Sequence, residues 1–268
     1  MNPLFNIHEK YREVIIINPY RFSDPDAVAQ AARIVADGGT VIDFAFMNLV
    51  ISTMKSMGIY SSCKLLTEAN FGVKKDGSTG AVSKLYDISG NNNDAIGTGT
   101  GQPIWSLSGG KGVITYDGVN DYLNCGKPVI PVNNFSILTA SKSSVINVVM
   151  SLVTQWKAGG ANRLDYVYSG DNKLDVIIGG AEVLKSTITI GTNLRHLAYT
   201  HSITNVATLY FDGVYNVNGN VSTIQQLSNT LIGTYSVAEW FNGQINSSTI
   251  FNIALTQSQI TQLTNLGL

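Results

Sequence analysis

The sequence predicts a mainly β protein, a two-sheet sandwich preceded by an extended arm and two short α-helices. Three observations carry this. Charged residues make up only 13% of the 268, about half the usual share of roughly 25%; Asn, Ser, Thr and Gly take their place, residues that favour turns and strand surfaces over helix interiors. From Cys63 onward, short alternating or β-branched runs recur about every ten residues between Gly and Asn turns, the pattern of a sandwich. Two segments before Cys63 instead show helical spacing with start and stop signals.

In chain order, residues 1–23 form an arm that mixes Asn, Pro and charge with one apolar run, Val14-Ile15-Ile16-Ile17. An unpaired strand is an aggregation hazard, so this run calls for a partner in its own domain or a neighbouring subunit. Residues 24–62 form a helical region. Asp24-Pro25 supplies an N-cap and first turn; Ala27, Val28, Ala31, Ala32 and Val35 follow at helical spacing, and Gly38-Gly39 end the helix. From Asp43, Phe44, Met47, Ile51 and Met54 give a second apolar stripe, closed by Gly58. Two such helices cannot bury their faces alone, so they pack on each other, on the domain behind, or on a trimer mate.

Residues 63–268 form the sandwich, clearest from about Val82. Expected strands include 112–116, 135–140, 145–153, 164–168, 174–178, 186–190, 195–200, 207–211 and 249–252. Asp117-Gly118 and Asp212-Gly213 are hairpin-type signals, and 256–266 is a closing helix with a Thr256-to-Gln259 capping box. The composition shift near Cys63 predicts that a chain starting at about Val82 folds alone and lacks only assembly.

The net charge of −1 excludes the footprint of a nucleic-acid binder and the basic patch of a membrane-surface protein. No span of about 20 apolar residues exists, and the run at Val14 is too short for a signal-peptide core. Cys63 and Cys125 read as free thiols of a reducing compartment, and His8, His196 and His201 as structural, with no metal spacing among them.

Three groups of residues resemble the laminin-G-like (concanavalin A-like) jelly roll. They are Asp87-Ile88-Ser89-Gly90-Asn91-Asn92-Asn93-Asp94-Ala95 followed by Tyr116-Asp117-Gly118-Val119-Asn120-Asp121-Tyr122; Arg195-His196-Leu197-Ala198-Tyr199-Thr200 followed by Leu209-Tyr210-Phe211-Asp212-Gly213; and Leu231-Ile232-Gly233 with Phe241-Asn242-Gly243-Gln244-Ile245, Phe251-Asn252-Ile253-Ala254-Leu255 and Gln259-Ile260. The resemblance covers residues 82–268. Ahead of it, Ala36-Asp37-Gly38-Gly39-Thr40-Val41, Lys55-Ser56-Met57-Gly58-Ile59-Tyr60 and Lys84-Leu85-Tyr86-Asp87 are similar to tailed-phage virion proteins with two helices and then a lectin-like sandwich.

These resemblances imply a virion structural protein (capsid-decorating, head-fibre or tail-appendage) held to other virion proteins by its arm and helices. They imply a homo-oligomer, with a trimer favoured, that displays a sandwich for host-surface glycan. The alternatives are a carbohydrate-active enzyme on the same fold and a free lectin. Paired carboxylates about 5–10 Å apart would be needed for glycoside hydrolysis. Yet Glu9, Glu13, Glu68, Glu182 and Glu239 have no carboxylate two residues away, and Asp171 and Asp175 straddle a turn; no catalytic residue is assigned. Calcium is the one candidate cofactor, with ligands Asp87 and Asp94 in one loop and Asp117 and Asp121 in another, helped by Asn91, Asn93 and Asn120. The same residues also suit plain turn chemistry. For glycan, an aromatic platform is expected at Trp156, Trp240 and Tyr235, with Trp105 and Tyr122 weighed as core.

Overall fold

The computed structural model describes residues 24–155, 163–224, 229–235 and 238–268; the arm lies outside them. Helix α1, Pro25–Ala36, starts where Asp24 Oδ1 accepts the Asp26 N–H, and the chain leaves it through Gly38 at φ +78°. Helix α2, Phe44–Ser56, is capped by Asp43, which accepts from Phe46 N–H, and is followed by Gly58 at φ +70°. Helix α3, Gln257–Leu266, carries the expected Thr256–Gln259 capping box and ends on left-handed Gly267. One detail of α1 differs from expectation. Its buried face is Ala27, Gln30 and Ile34, with Ala31 packed against the same core, whereas Val28 and Val35 of the expected stripe are exposed.

Two antiparallel sheets make the body. The ten-stranded sheet runs, edge to edge, Thr40–Val41, Gly72–Lys75, Val82–Leu85, Ala95–Ile96, Leu123–Asn124, Thr230–Ile232, Met150–Gln155, Leu164–Tyr168, Lys173–Ile178 and Ala181–Thr189. The eight-stranded sheet runs Val214–Asn220, Val206–Phe211, Arg195–His201, Phe135–Ser143, Asn242–Phe251, Lys111–Asp117 and Ile104–Ser108. Its remaining strand, Cys63–Glu68, pairs with the second half of Asn242–Phe251, while Lys111–Asp117 pairs with the first half. One long strand therefore serves two partners on one edge and Phe135–Ser143 on the other.

Two expected features move. The run 145–153 enters the sheet only at Met150, because Asn147 turns the chain at φ +60°. Asp212-Gly213 does join neighbouring strands, both residues at positive φ as a tight hairpin needs. Asp117-Gly118 does not. It begins a crossing from Lys111–Asp117 in one sheet to Leu123–Asn124 in the other.

Alternation along the eight-stranded sheet feeds two cores. Leu65, Ile137, Leu197, Tyr199, Leu209, Phe211 and Ile250 point between the sheets. Their neighbours Leu66, Leu138, Ala198, Tyr210 and Phe251 point outward and are covered by Ala27, Ile34, Met47, Ile51 and Met54 of α1 and α2 and by Ile260 and Leu263 of α3. The helical segment is thus wall rather than appendage.

The junction is specific. The Tyr86 hydroxyl donates to Asp37 Oδ2 at 2.6 Å and Lys84 Nζ lies 2.9 Å from the same oxygen; these two contacts hold the Asp37 carboxyl down to about 2. Gly39 lies flat on the Tyr86 ring, so close that a Cβ there would sit 2.4 Å from Cε2. Arg33 reaches both oxygens of Asp94 and donates to the Asp87 carbonyl at 2.6 Å. Ala36-Asp37-Gly38-Gly39 is therefore the seam that fastens α1 to the sandwich.

Two outcomes follow. Gly39→Ala should cost about 1–3 kcal/mol through overpacking against Tyr86, visible as a lower urea midpoint at unchanged slope. A chain starting at Val82 should fail to unfold cooperatively in calorimetry, because it lacks Cys63–Glu68 and uncovers Leu138, Tyr210 and Phe251; a cooperative transition equal to that of a chain starting at Asp24 would contradict this packing.

Candidate functional site

One end of the sandwich gathers the residues that suit ligand contact. Its floor is set by alternation at two strand ends. Tyr116 and Phe241 are buried and meet edge to face, centroids 6.2 Å apart. Trp240, one residue before Phe241, is turned outward, and Tyr122, beside buried Leu123, does the same. The two outward rings face each other at 6.0 Å and 46° and both are half-buried. This Tyr122–Trp240 ledge is a stacking surface with one side in water.

Tight turns hold the ledge. Asp117 Oδ1 accepts Val119 N–H at 2.7 Å and Asn120 N–H at 3.2 Å. Asp121 Oδ2 accepts Asp117 N–H at 2.8 Å. Tyr122 N–H donates to Gly101 O at 3.1 Å, and Ser144 N–H to Asn242 O at 2.9 Å. Gly118, at φ +77°, packs on Asn242 so closely that a Cβ would lie 2.7 Å from its Cβ. On the Trp240 side, Phe241 N–H donates to Gly233 O, and Tyr235 and Ala238 exchange backbone bonds. Asn120, Asn242 and Thr100 supply uncharged donors and acceptors beside the rings, Asn120 Nδ2 already reaching toward Thr100 Oγ1 at 3.4 Å.

The other expected residues distribute as follows. Tyr235 faces the outer side of the ten-stranded sheet, stacked on the Arg163 guanidinium at 4.1 Å. Trp156 lies outside the described residues. Trp105 sits by the far edge strand, its Nε1 donating to Ala69 O and Lys75 over its ring. Tyr122, weighed as core, is the ledge partner of Trp240; its rim position depends on a crossing between sheets that no local pattern announces.

The four aspartates named for calcium carry turn chemistry. Asp87 accepts from Leu66 N–H, Ser89 N–H, Asn93 N–H and Ser89 Oγ–H. Asp94 is bridged to Arg33 and accepts Asp87 N–H. Asp117 and Asp121 hold their own turn. Among the described residues no three His, Cys, Asp or Glu side chains gather as a metal set.

The structure brings together one carboxylate pair that sequence spacing missed. Asp165 and Asp175 lie diagonally on adjacent strands, since Asp165 opposes Ile177 and Val167 opposes Asp175. Asp165 is fully buried with Arg163 Nε at 2.6 Å, yet neither of its oxygens has a well-aligned hydrogen bond. Burial raises it to about 7 against the pull of Arg163. Asp175 is 3% exposed, with Lys185 Nζ at 3.4 Å, and burial raises it to about 6. Both are sequestered acids rather than acids open to a substrate.

A profile of the concanavalin A-like lectin/glucanases superfamily matches residues 117–261, more than half of the chain. The chain belongs to this superfamily. The match begins at the Asp117 turn and runs into α3, and the strands of both sheets that precede Asp117 lie outside it. No curated protein sequence matches the chain. Among solved structures it is similar to domain 4 of AbnA, an extracellular arabinanase from Geobacillus stearothermophilus, in complex with arabinotriose (17% identity, TM-score 0.61, 76% of this chain and 98% of that one). It is also similar to the binding domain of Paraclostridial Mosquitocidal Protein 1 (16%, TM-score 0.57, 77% and 52%). A third is the binding domain of botulinum neurotoxin serotype D (14%, TM-score 0.58, 78% and 52%). The chain spans about half the length of the two toxin structures, and at these identities the likeness is one of fold. Among the described residues no helix is long and apolar enough to cross a membrane.

The buried acids set a pH dependence. Glu68 accepts Asn70 N–H at 2.5 Å and Asn70 Nδ2–H at 2.7 Å, and burial still raises it to about 7. A carboxyl raised in the folded state stabilises below its unfolded value and loses that stability as pH rises through its folded value. Burial lowers His201, which acts oppositely and limits stability on the acid side. With several raised carboxyls against one histidine, the urea midpoint should fall between about pH 5 and 8. Glu68→Gln should flatten the slope; an unchanged slope in that variant would remove Glu68 as its source.

Proposed function

We propose that this chain is a non-enzymatic virion structural protein whose sandwich binds neutral glycan at the Tyr122–Trp240 ledge. The observation that carries the binding half is the ledge itself: two half-exposed rings, bordered by Asn120, Asn242 and Thr100, held by turns that are already formed. Stacking and amide hydrogen bonds suit sugar hydroxyls without any net charge. The arabinotriose complex of the AbnA domain supports the same reading for this fold.

The virion half rests on the resemblance of residues 36–41, 55–60 and 84–87 to tailed-phage proteins. Other virion proteins would be engaged through the arm, and a homo-oligomer, with a trimer favoured, would supply repeated copies. A shallow ledge buries little ligand, so each site is weak and the copies give avidity. Against hydrolysis, Asp165 and Asp175 are buried and paired with Arg163 and Lys185. The arm's apolar run lies outside the described residues, so its partner rests on sequence.

The test is a panel of neutral polysaccharides probed with the multimerised full chain. Binding should be insensitive to salt and fall at least about tenfold in Trp240→Ala, the loss expected when stacking worth about 1.5 kcal/mol is removed. Release of reducing sugar would assign the chain to the enzymes. Absence from purified particles in immuno-electron microscopy would overturn the virion half.

A further inference from the structure

We infer that the outward face of α2 is a docking groove for this chain's own arm, with the apolar run Val14-Ile15-Ile16-Ile17 as its occupant, whether or not the glycan and virion readings above hold. Helix α2 buries Met47, Val50, Ile51 and Met54 in the second core. On a surface helix the opposite face is polar. Here it carries Ala45, Phe46 and Leu49, with Leu49 51% exposed. Together with Asp43, Asn48 and Ser52 these residues line a groove of about 470 Å³. A helix that is apolar nearly all round is one that is covered on both sides.

The groove suits a segment of chain better than a small molecule. Small-molecule sites aim several polar groups at one ligand. The one charged group of this lining, Asp43, already serves its own helix by accepting Phe46 N–H at 2.8 Å. Phe46 is packed from behind by the Phe71 ring, centroids 5.2 Å apart, so the floor is formed before anything docks. What the lining offers is aliphatic and aromatic surface, which four consecutive aliphatic side chains match.

The place where the arm joins the described residues fixes its reach. Asp24 Oδ1 lies 2.6 Å from Lys55 Nζ. Lys55 belongs to α2 itself, six positions after Leu49, or roughly 9 Å along the axis at 1.5 Å per residue. Ile17 is seven positions before Asp24, enough for up to about 23 Å of chain. Even the far side of a helix about 10–12 Å across lies within that length. The run itself spans about 13 Å when extended, against about 10 Å from Ala45 to Ser52 along the helix. A tethered run works at an effective concentration of roughly millimolar, which favours the arm of the same chain over that of a second copy. Residues 1–13 then remain for the virion contacts proposed above.

Thiol labelling of the full chain tests this. Cys63 and Cys125 are buried, so Leu49→Cys supplies the reporter and Ile203→Cys, at a position 70% exposed, the reference. With a docking Kd of about 0.1 mM the tether keeps the groove about nine-tenths covered, so Leu49→Cys should alkylate about tenfold more slowly than Ile203→Cys at every protein concentration. Adding Ile15→Asp and Ile17→Asp should restore the fast rate. Fast labelling of Leu49→Cys with the arm intact overturns the docking. Protection that the two arm substitutions leave in place also overturns it, since another occupant then fills the groove. Protection lost on dilution overturns the assignment to the same chain and points to a second copy. As a second measurement, full chains that combine Leu49→Cys with Ile15→Cys, Ile16→Cys or Ile17→Cys are oxidised and run on a non-reducing gel. At least one pair should close a disulfide within the monomer. Disulfide-linked dimers alone, or no disulfide in any of the three, overturn the inference.

Discussion

Everything around the helix–sandwich seam depends on the buried carboxylate of Asp87. It receives two hydrogen bonds on each oxygen: Leu66 N–H and Ser89 N–H on one, Ser89 Oγ–H and Asn93 N–H on the other. Burial pushes its carboxyl up and these four donors pull it down, the balance expected of a buried acid that is solvated by protein instead of water. Each donor belongs to a piece that must be fixed. Leu66 is in the strand under the helices, and the 89–93 turn sends Asn91 and Asn93 amides to the carbonyls of Cys63 and Lys64. Arg33 then closes the ring by donating to the Asp87 carbonyl from α1. One carboxylate thus organises strand, turn and helix together.

This arrangement explains why the eight-stranded sheet carries apolar residues on both faces. A sheet covered on one side only would show polar residues outward at Leu66, Leu138, Tyr210 and Phe251. Here the three helices of the described residues cover that face, so segments distant in sequence, residues 24–56 and 257–266, meet on it. The sandwich gains a second core, and the ledge at the sandwich end is spared from any structural covering duty.

The helices were legible because their signals are local: Asp24-Pro25, Asp43, the Thr256–Gln259 box and the closing glycines each act within one turn. Strands such as Leu164–Tyr168, a compact apolar run between turns, were legible for the same reason. The two-residue strands Ala95–Ile96 and Leu123–Asn124 were not, since nothing in two residues marks a strand; their partners define them. The shift at Cys63 was read as a boundary between units, but it marks only a change from helix to strand. Composition reports secondary structure, while the domain is set by burial, which continues across that point. At the site, Trp240 was legible as an aromatic beside a turn. Tyr122 and the Asp165–Asp175 pair were not, because the first depends on a crossing between sheets and the second on strand register.

The pairing of Cys63–Glu68 with Asn242–Phe251 has a consequence for how the protein is made. Thr67 and Ser248, which share a hydrogen bond, are 181 positions apart. During synthesis at about 5–20 residues per second the earlier strand waits on the order of ten to forty seconds for its neighbour. Throughout that interval Leu65 and Leu66 face opposite ways with neither core complete, and the sheet edge they belong to is open. Non-local pairing of this kind also slows the final search itself. The nascent chain therefore emerges as a client for holding chaperones, and its yield in a cell is governed by how well that early strand is shielded until the late one leaves the ribosome.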